Sequence, residues 1–113
     1  MSRSTFEFTV PSKTPDEIRE AAGKFLTSND FTLKDVKGES LYQRGKDIGE
    51  GMLPPQRITL AIADNKVKLE AFVVNITGES HLKGIFGIAA KRPLKKTVDE
   101  LINALGGTGV VSS

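Results

Sequence analysis

Residues 57–73, Arg57-Ile58-Thr59-Leu60-Ala61-Ile62-Ala63-Asp64-Asn65-Lys66-Val67-Lys68-Leu69-Glu70-Ala71-Phe72-Val73, decide the fold. Before Asp64-Asn65, Ile58, Leu60 and Ile62 alternate with Arg57, Thr59 and Ala61; after it, Val67, Leu69, Ala71 and Val73 alternate with Lys66, Lys68 and Glu70. A period of two sends one set of side chains into a core and the other into water, and two such runs joined by two turn residues make an antiparallel hairpin. A sheet with one apolar face must be covered, so the rest of the chain has to supply helices.

Toward the amino terminus, Phe6, Phe8 and Val10 alternate with Glu7 and Thr9 as a further half-buried strand, ended by Pro11. Thr14-Pro15-Asp16-Glu17 then reads as a helix start: a hydroxyl cap, proline at the first helical position, an acidic first turn, and a glutamate three residues after the cap that reaches back to it. Ile18, Ala21, Ala22, Phe25 and Leu26 gather on one face of this helix, which should stop near Ser28 and Asn29. Phe31, Leu33 and Asp35 follow as a strand, Lys37-Gly38-Glu39 turns the chain, and residues 40–44 return it.

Toward the carboxyl terminus, from Phe72 to Asn75, the alternation gives way to the apolar run Phe72-Val73-Val74, predicting cover on both faces or a partner surface. Thr77-Gly78-Glu79-Ser80 reads as a turn and 81–90 as a last, irregular strand. A second amphipathic helix is expected over 93–105, with Leu94, Val98, Leu101, Ile102 and Leu105 on one face and Gly106-Gly107 as its stop. The expected domain is 1–107, with 108–113 a flexible tail. The fold class is α+β: a two-layer sandwich, an antiparallel sheet with two helices on one face, in the order β-α-β-β-β-β-(β)-α.

With 113 residues the chain fits one domain. It has 0 Cys and 1 His, which excludes disulfides, thiol catalysis, Fe–S clusters and Cys/His zinc sites, so neither metal nor cofactor is expected. The amino-terminal residues carry no apolar leader, and the expectation is a cytoplasmic protein. Net charge is +2, from 16 Lys+Arg against 14 Asp+Glu, far from the excess of a dedicated nucleic-acid binder.

The element order is similar to the TATA-box-binding-protein-like fold. The run Leu41-Tyr42-Gln43-Arg44-Gly45, the glycine loop to Pro54-Pro55, Gly84-Ile85-Phe86-Gly87 and Lys91-Arg92-Pro93-Leu94-Lys95-Lys96 resemble a family of uncharacterised small bacterial α+β domain proteins. That resemblance implies the fold and brings no catalytic residue with it.

Four features are candidates for function. The 45–55 loop holds Gly49, Gly51, Met52 and Leu53; glycines let a backbone approach a ligand closely, and Met and Leu supply adaptable apolar contact. It lacks the G-K-[ST] ending of a phosphate loop, and its plain alternative is a strand connection. Lys91, Arg92, Lys95 and Lys96 crowd the expected start of the second helix, where the macrodipole disfavours cations by about a few tenths of a kcal/mol each. Their candidate ligand is phosphate, nucleic-acid backbone or an acidic membrane surface; their alternative is ordinary solubilising charge. Phe72, Val74, Ile76 and Phe86 form the partner-surface candidate, suited to a homodimer or a protein partner.

His81 lies beside Glu79 and Ser80, but adjacency in sequence is poor ground for proton-transfer chemistry, so an enzyme built on Glu50, Glu79 and His81 ranks last. Gly38-Glu39-Ser40 and Gly78-Glu79-Ser80 echo each other and read as two turns. The expected function is a non-enzymatic binding or interaction module, in one form self-associating. The alternative is an anion-directed module acting through the basic start of the second helix.

Overall fold

The structure, a computed structural model, describes residues 3–47, 53–75, 78–82 and 88–113. In chain order these form β1 (Ser4–Thr9), α1 (Pro15–Ser28), β2 (Thr32–Val36), β3 (Glu39–Arg44), β4 (Gln56–Ala63), β5 (Lys66–Asn75), β6 (Gly78–Ser80), α2 (Ile88–Leu105) and β7 (Thr108–Ser112). The strands form one antiparallel sheet in the order β2-β3-β4-β5-β1-β7, with β6 paired to the far end of β5.

The hairpin of β4 and β5 is its spine. Ile58 lies opposite Ala71, Leu60 opposite Leu69 and Ile62 opposite Val67. β1 continues the same rows with Phe6 opposite Leu69 and Phe8 opposite Val67. Both helices cover this face: Ile18, Ala22 and Leu26 from α1, and Leu94, Val98, Leu101, Ile102 and Leu105 from α2, are buried in one core with the strand residues. The result is the two-layer α+β sandwich.

α1 starts as its sequence dictates. The Glu17 amide donates to Thr14 Oγ1 at 3.2 Å and the Thr14 amide donates to the Glu17 carboxylate at 2.8 Å, so two otherwise orphaned donors are satisfied. Its end uses Asp30 in the left-handed region, φ 69°, while the Phe31 amide donates to the Leu26 carbonyl at 3.0 Å.

Several expectations are corrected. Leu33 stands on the helix side of the sheet, in the row of Tyr42 and Ile58, yet is 60% exposed, because β2 is the edge strand and α1 packs over β4. Residues 78–80 are not a turn but β6, since β5 extends past the start of β1 and leaves ladder groups for another strand. The second helix begins at Ile88, so residues 88–90 are helical rather than strand and Pro93 lies inside the helix. Proline there removes the amide that would donate to the Ala89 carbonyl, and Ala89 is exposed, where water can take that donor's place.

The expected tail is instead β7. Gly106, φ 73°, ends α2 as the Gly107 amide donates to the Ile102 carbonyl at 2.9 Å, and this reversal aims the chain back along β1. Gly107 sits so close to Phe8 and Ile102 that a Cβ would lie 2.7 Å and 2.8 Å from them. Thr5 and Ser113 then exchange two backbone hydrogen bonds, of 3.0 and 2.9 Å. Gly109, φ 64°, absorbs a register shift between Glu7 and Thr9.

Candidate functional site

The face of the sheet opposite the helices has no layer over it among the described residues, yet it carries two buried apolar side chains, Phe72 and Leu41. Strand parity puts them there. Phe72 lies opposite Arg57 and Leu41 opposite Lys34, residues that alternate with the core rows. Charged side chains cover this ground.

Arg3, one residue before β1, stretches over the Phe72 ring, its guanidinium 4.2 Å from the ring centre. Nε and Nη2 donate to the two Glu79 oxygens at 2.8 and 2.7 Å. Nη2 and Nη1 donate to the two Glu39 oxygens at 2.9 and 2.7 Å, and Nη1 also donates to Glu70 at 3.3 Å. These contacts match the five N–H donors of a guanidinium, and two of the three carboxylates are engaged in bidentate fashion. Thr59 Oγ1 donates to Glu70 at 3.2 Å and holds that carboxylate in place.

The electrostatics follow from the geometry. Hydrogen bonding to Arg3, ahead of its Coulombic attraction, holds the Glu39 and Glu79 carboxyls below the usual range against the opposing cost of burial. The same carboxylates push the Arg3 guanidinium further toward its charged form. Three carboxylates face one guanidinium, with Arg57 adding attraction at Glu39 and Glu79. Among the described residues, no group of three or more acidic or histidine side chains is arranged to hold a metal.

Beside this clasp runs a second chain of contacts on the same face. Arg57 Nε donates to Gln43 Oε1 at 2.9 Å, Gln43 Nε2 donates to Asp47 at 2.8 Å, and Lys34 Nζ pairs with Asp47 at 3.1 Å. The Asp47 carboxyl is held low by its bond from Gln43 and then by Lys34. Gln43, Lys34 and Asp47 line an open groove of about 370 Å³ with Asp30, Thr32 and Gly45. On the helix side Arg44 ties the layers together, donating to Gln56 Oε1 at 2.8 Å, the Asn29 carbonyl at 3.2 Å and Thr97 Oγ1 at 3.0 Å. Desolvation lowers its pKa against the opposing attraction of the Asp30 and Glu100 carboxylates.

The residues singled out from sequence fare unequally. Phe72, one of the partner-surface candidates, is fully buried, its ring covered by Arg3 from within the chain. Val74 is half-buried on the same face, while Ile76 and Phe86 lie outside the described residues, as do Gly49, Gly51 and Met52. Leu53 is exposed. The basic cluster is dispersed: Lys91 is buried, Lys95 pairs with Asp99 at 2.7 Å one turn on, and Arg92 and Lys96 face solvent. Because α2 starts at Ile88, Lys95 and Lys96 stand beyond its first turn, outside the range where the dipole opposes them. His81 is exposed just after β6, and the Glu79 carboxylate is committed to Arg3.

Sequence reading missed the clasp, although one signal pointed to it. The echoed tripeptides Gly38-Glu39-Ser40 and Gly78-Glu79-Ser80 supply the two bidentate glutamates. Each follows a glycine with positive φ, 82° at Gly38 and 120° at Gly78, and each glutamate lies in a strand, β3 or β6. Comparison of the chain with family models, curated proteins and solved structures finds no match. No helix among the described residues is long and apolar enough to cross a membrane.

Proposed function

We propose that the domain is a non-enzymatic binding module that works through the open face of its sheet, its partner a protein, a second copy of this chain included. The observation that supports this reading is the clasp itself. Among the described residues, the most saturated side-chain network lies on the face without a helix layer and covers Phe72 there. Carboxylates drawn below their usual range suit persistent charge recognition better than proton transfer, which calls for a pKa near the working pH.

The test is a set of ¹H–¹⁵N spectra at low and high protein concentration, then with anionic vesicles and short nucleic acids at two salt levels. Concentration-dependent shifts confined to open-face amides such as Thr5, Glu7, Lys68 and Glu70, with α2 unresponsive to the anions, are expected. Salt-sensitive shifts around Arg92 and Lys96 with a silent open face would overturn the reading and assign anion binding to α2.

A further inference from the structure

We infer that Glu39, Glu70, Glu79 and Phe72 form a guanidinium-binding pocket in which Arg3 is an exchangeable internal ligand, and that its external ligand is an arginine on a basic segment of a partner protein. This rests on the open face being the binding surface and names the chemistry recognised there.

The pocket is assembled without the residue that fills it. Its walls come from β3, β5 and β6, and its floor is the Phe72 ring of β5. Arg3 lies outside β1, and the ladder to β5 begins at Ser4 opposite Ala71. Its side chain can therefore swing away while β1 stays paired on both sides, to β5 and to β7.

The chemistry is selective for guanidinium over ammonium. Two bidentate carboxylates and a third acceptor match the planar donor fork of arginine, and a flat aromatic floor at 4.2 Å takes the face of that plane. A lysine ammonium has three donors in tetrahedral array and leaves oxygens of this set unmatched. Charge adds to this: Glu39, Glu70 and Glu79 outnumber Arg3 and the nearby Arg57, so an approaching basic segment is drawn to the site.

An internal ligand lowers the apparent affinity for any external one by the fraction of time the pocket stands open. Arg3 thus acts as a competitive guard that keeps Phe72 covered until an arginine with additional contacts replaces it. Removing the guard should strengthen external binding, whereas an Arg3 that belonged to the binding surface would weaken it on removal.

The experiment compares the unmodified chain with Arg3→Ala and Arg3→Lys, titrated by calorimetry with N-acetyl-arginine amide, N-acetyl-lysine amide and a short arginine-containing basic peptide. Arg3→Lys keeps a cation over Phe72 and serves if Arg3→Ala does not fold. Expected are binding of the arginine amide to both variants, at least about tenfold weaker binding of the lysine amide, a converted difference of about 1.4 kcal/mol, and loss of binding when Glu79→Gln is added. In the unmodified chain the peptide should release the Arg3 side-chain Nε–H resonance from its protected position. Equal affinity for the two amides, or an Arg3 resonance unmoved by saturating peptide, overturns the inference. If that happens while open-face amides still shift with protein concentration, the binding face stands and only its ligand chemistry is wrong.

Discussion

The coupling between Arg3 and Glu79 is measurable by a double-mutant cycle of Arg3→Gln, Glu79→Gln and the pair, read by urea unfolding at neutral pH. Exposed ion pairs contribute about 0.2–1 kcal/mol, and hydrogen bonds to charged groups about 1.5–3 kcal/mol where water is excluded. The Arg3 and Glu79 side chains are 18% and 20% exposed and share two short hydrogen bonds. Their coupling should fall between these limits, at about 1–2 kcal/mol.

Glu39 is also bidentate, but its side chain is 42% exposed, so solvent screening should hold its coupling with Arg3 below about 1 kcal/mol. The pH dependence has a definite sign. Both carboxyls have folded-state pKa values below the unfolded ones, so their stabilisation is complete above the ordinary glutamate range, about 4.3. It is then lost as pH falls through the depressed folded values. A coupling under about 0.5 kcal/mol at neutral pH, within the scatter of non-interacting sites, refutes the reasoning. So does a Glu39 coupling larger than that of Glu79, or a coupling that survives acidification well below the carboxylate range.

Backbone and packing set three further outcomes. Gly107→Ala should destabilise by about 1–3 kcal/mol through overpacking against Phe8 and Ile102. Gly106→Ala, with nothing within 4 Å of its new Cβ, should cost about 1 kcal/mol through its positive φ alone. Thermal unfolding separates the two, and a larger loss at Gly106 would contradict the packing. Thr14→Ala removes the hydroxyl that caps α1 and should cost about 1 kcal/mol by urea unfolding, while Thr14→Ser should be nearly neutral. Asp30→Gly should instead stabilise by about 0.5–1 kcal/mol, since Asp30 holds φ 69° at the end of α1. A loss of stability there would show that the Asp30 carboxylate matters more than its backbone.

What the sequence determined by itself is local and periodic. The alternation of Ile58, Leu60 and Ile62 with their neighbours and the Asp64-Asn65 turn specify a hairpin whatever else the chain does, because side-chain direction in a strand depends only on parity. Thr14 and Glu17 specify the start of α1, and Gly106-Gly107 the end of α2, because caps answer to backbone groups within one turn. Phe72 was recognisable as a departure from alternation, and so as covered by something, but its cover was not legible.

The tertiary structure decided that cover. Arg3 reaches glutamates 36, 67 and 76 residues away, and nothing local to any of them records the others. β7 is likewise a product of its surroundings. Residues 108–112 have no burial pattern of their own, all five being exposed, and they form a strand because the reversal at Gly106-Gly107 delivers them to the unpaired edge of β1. The basic run 91–96 shows the same limit: once α2 begins at Ile88, helical phase buries Lys91 and pairs Lys95 with Asp99, leaving Arg92 and Lys96 in water. Periodicity sets which way each side chain points; only the assembled sheet and helices set what it meets there.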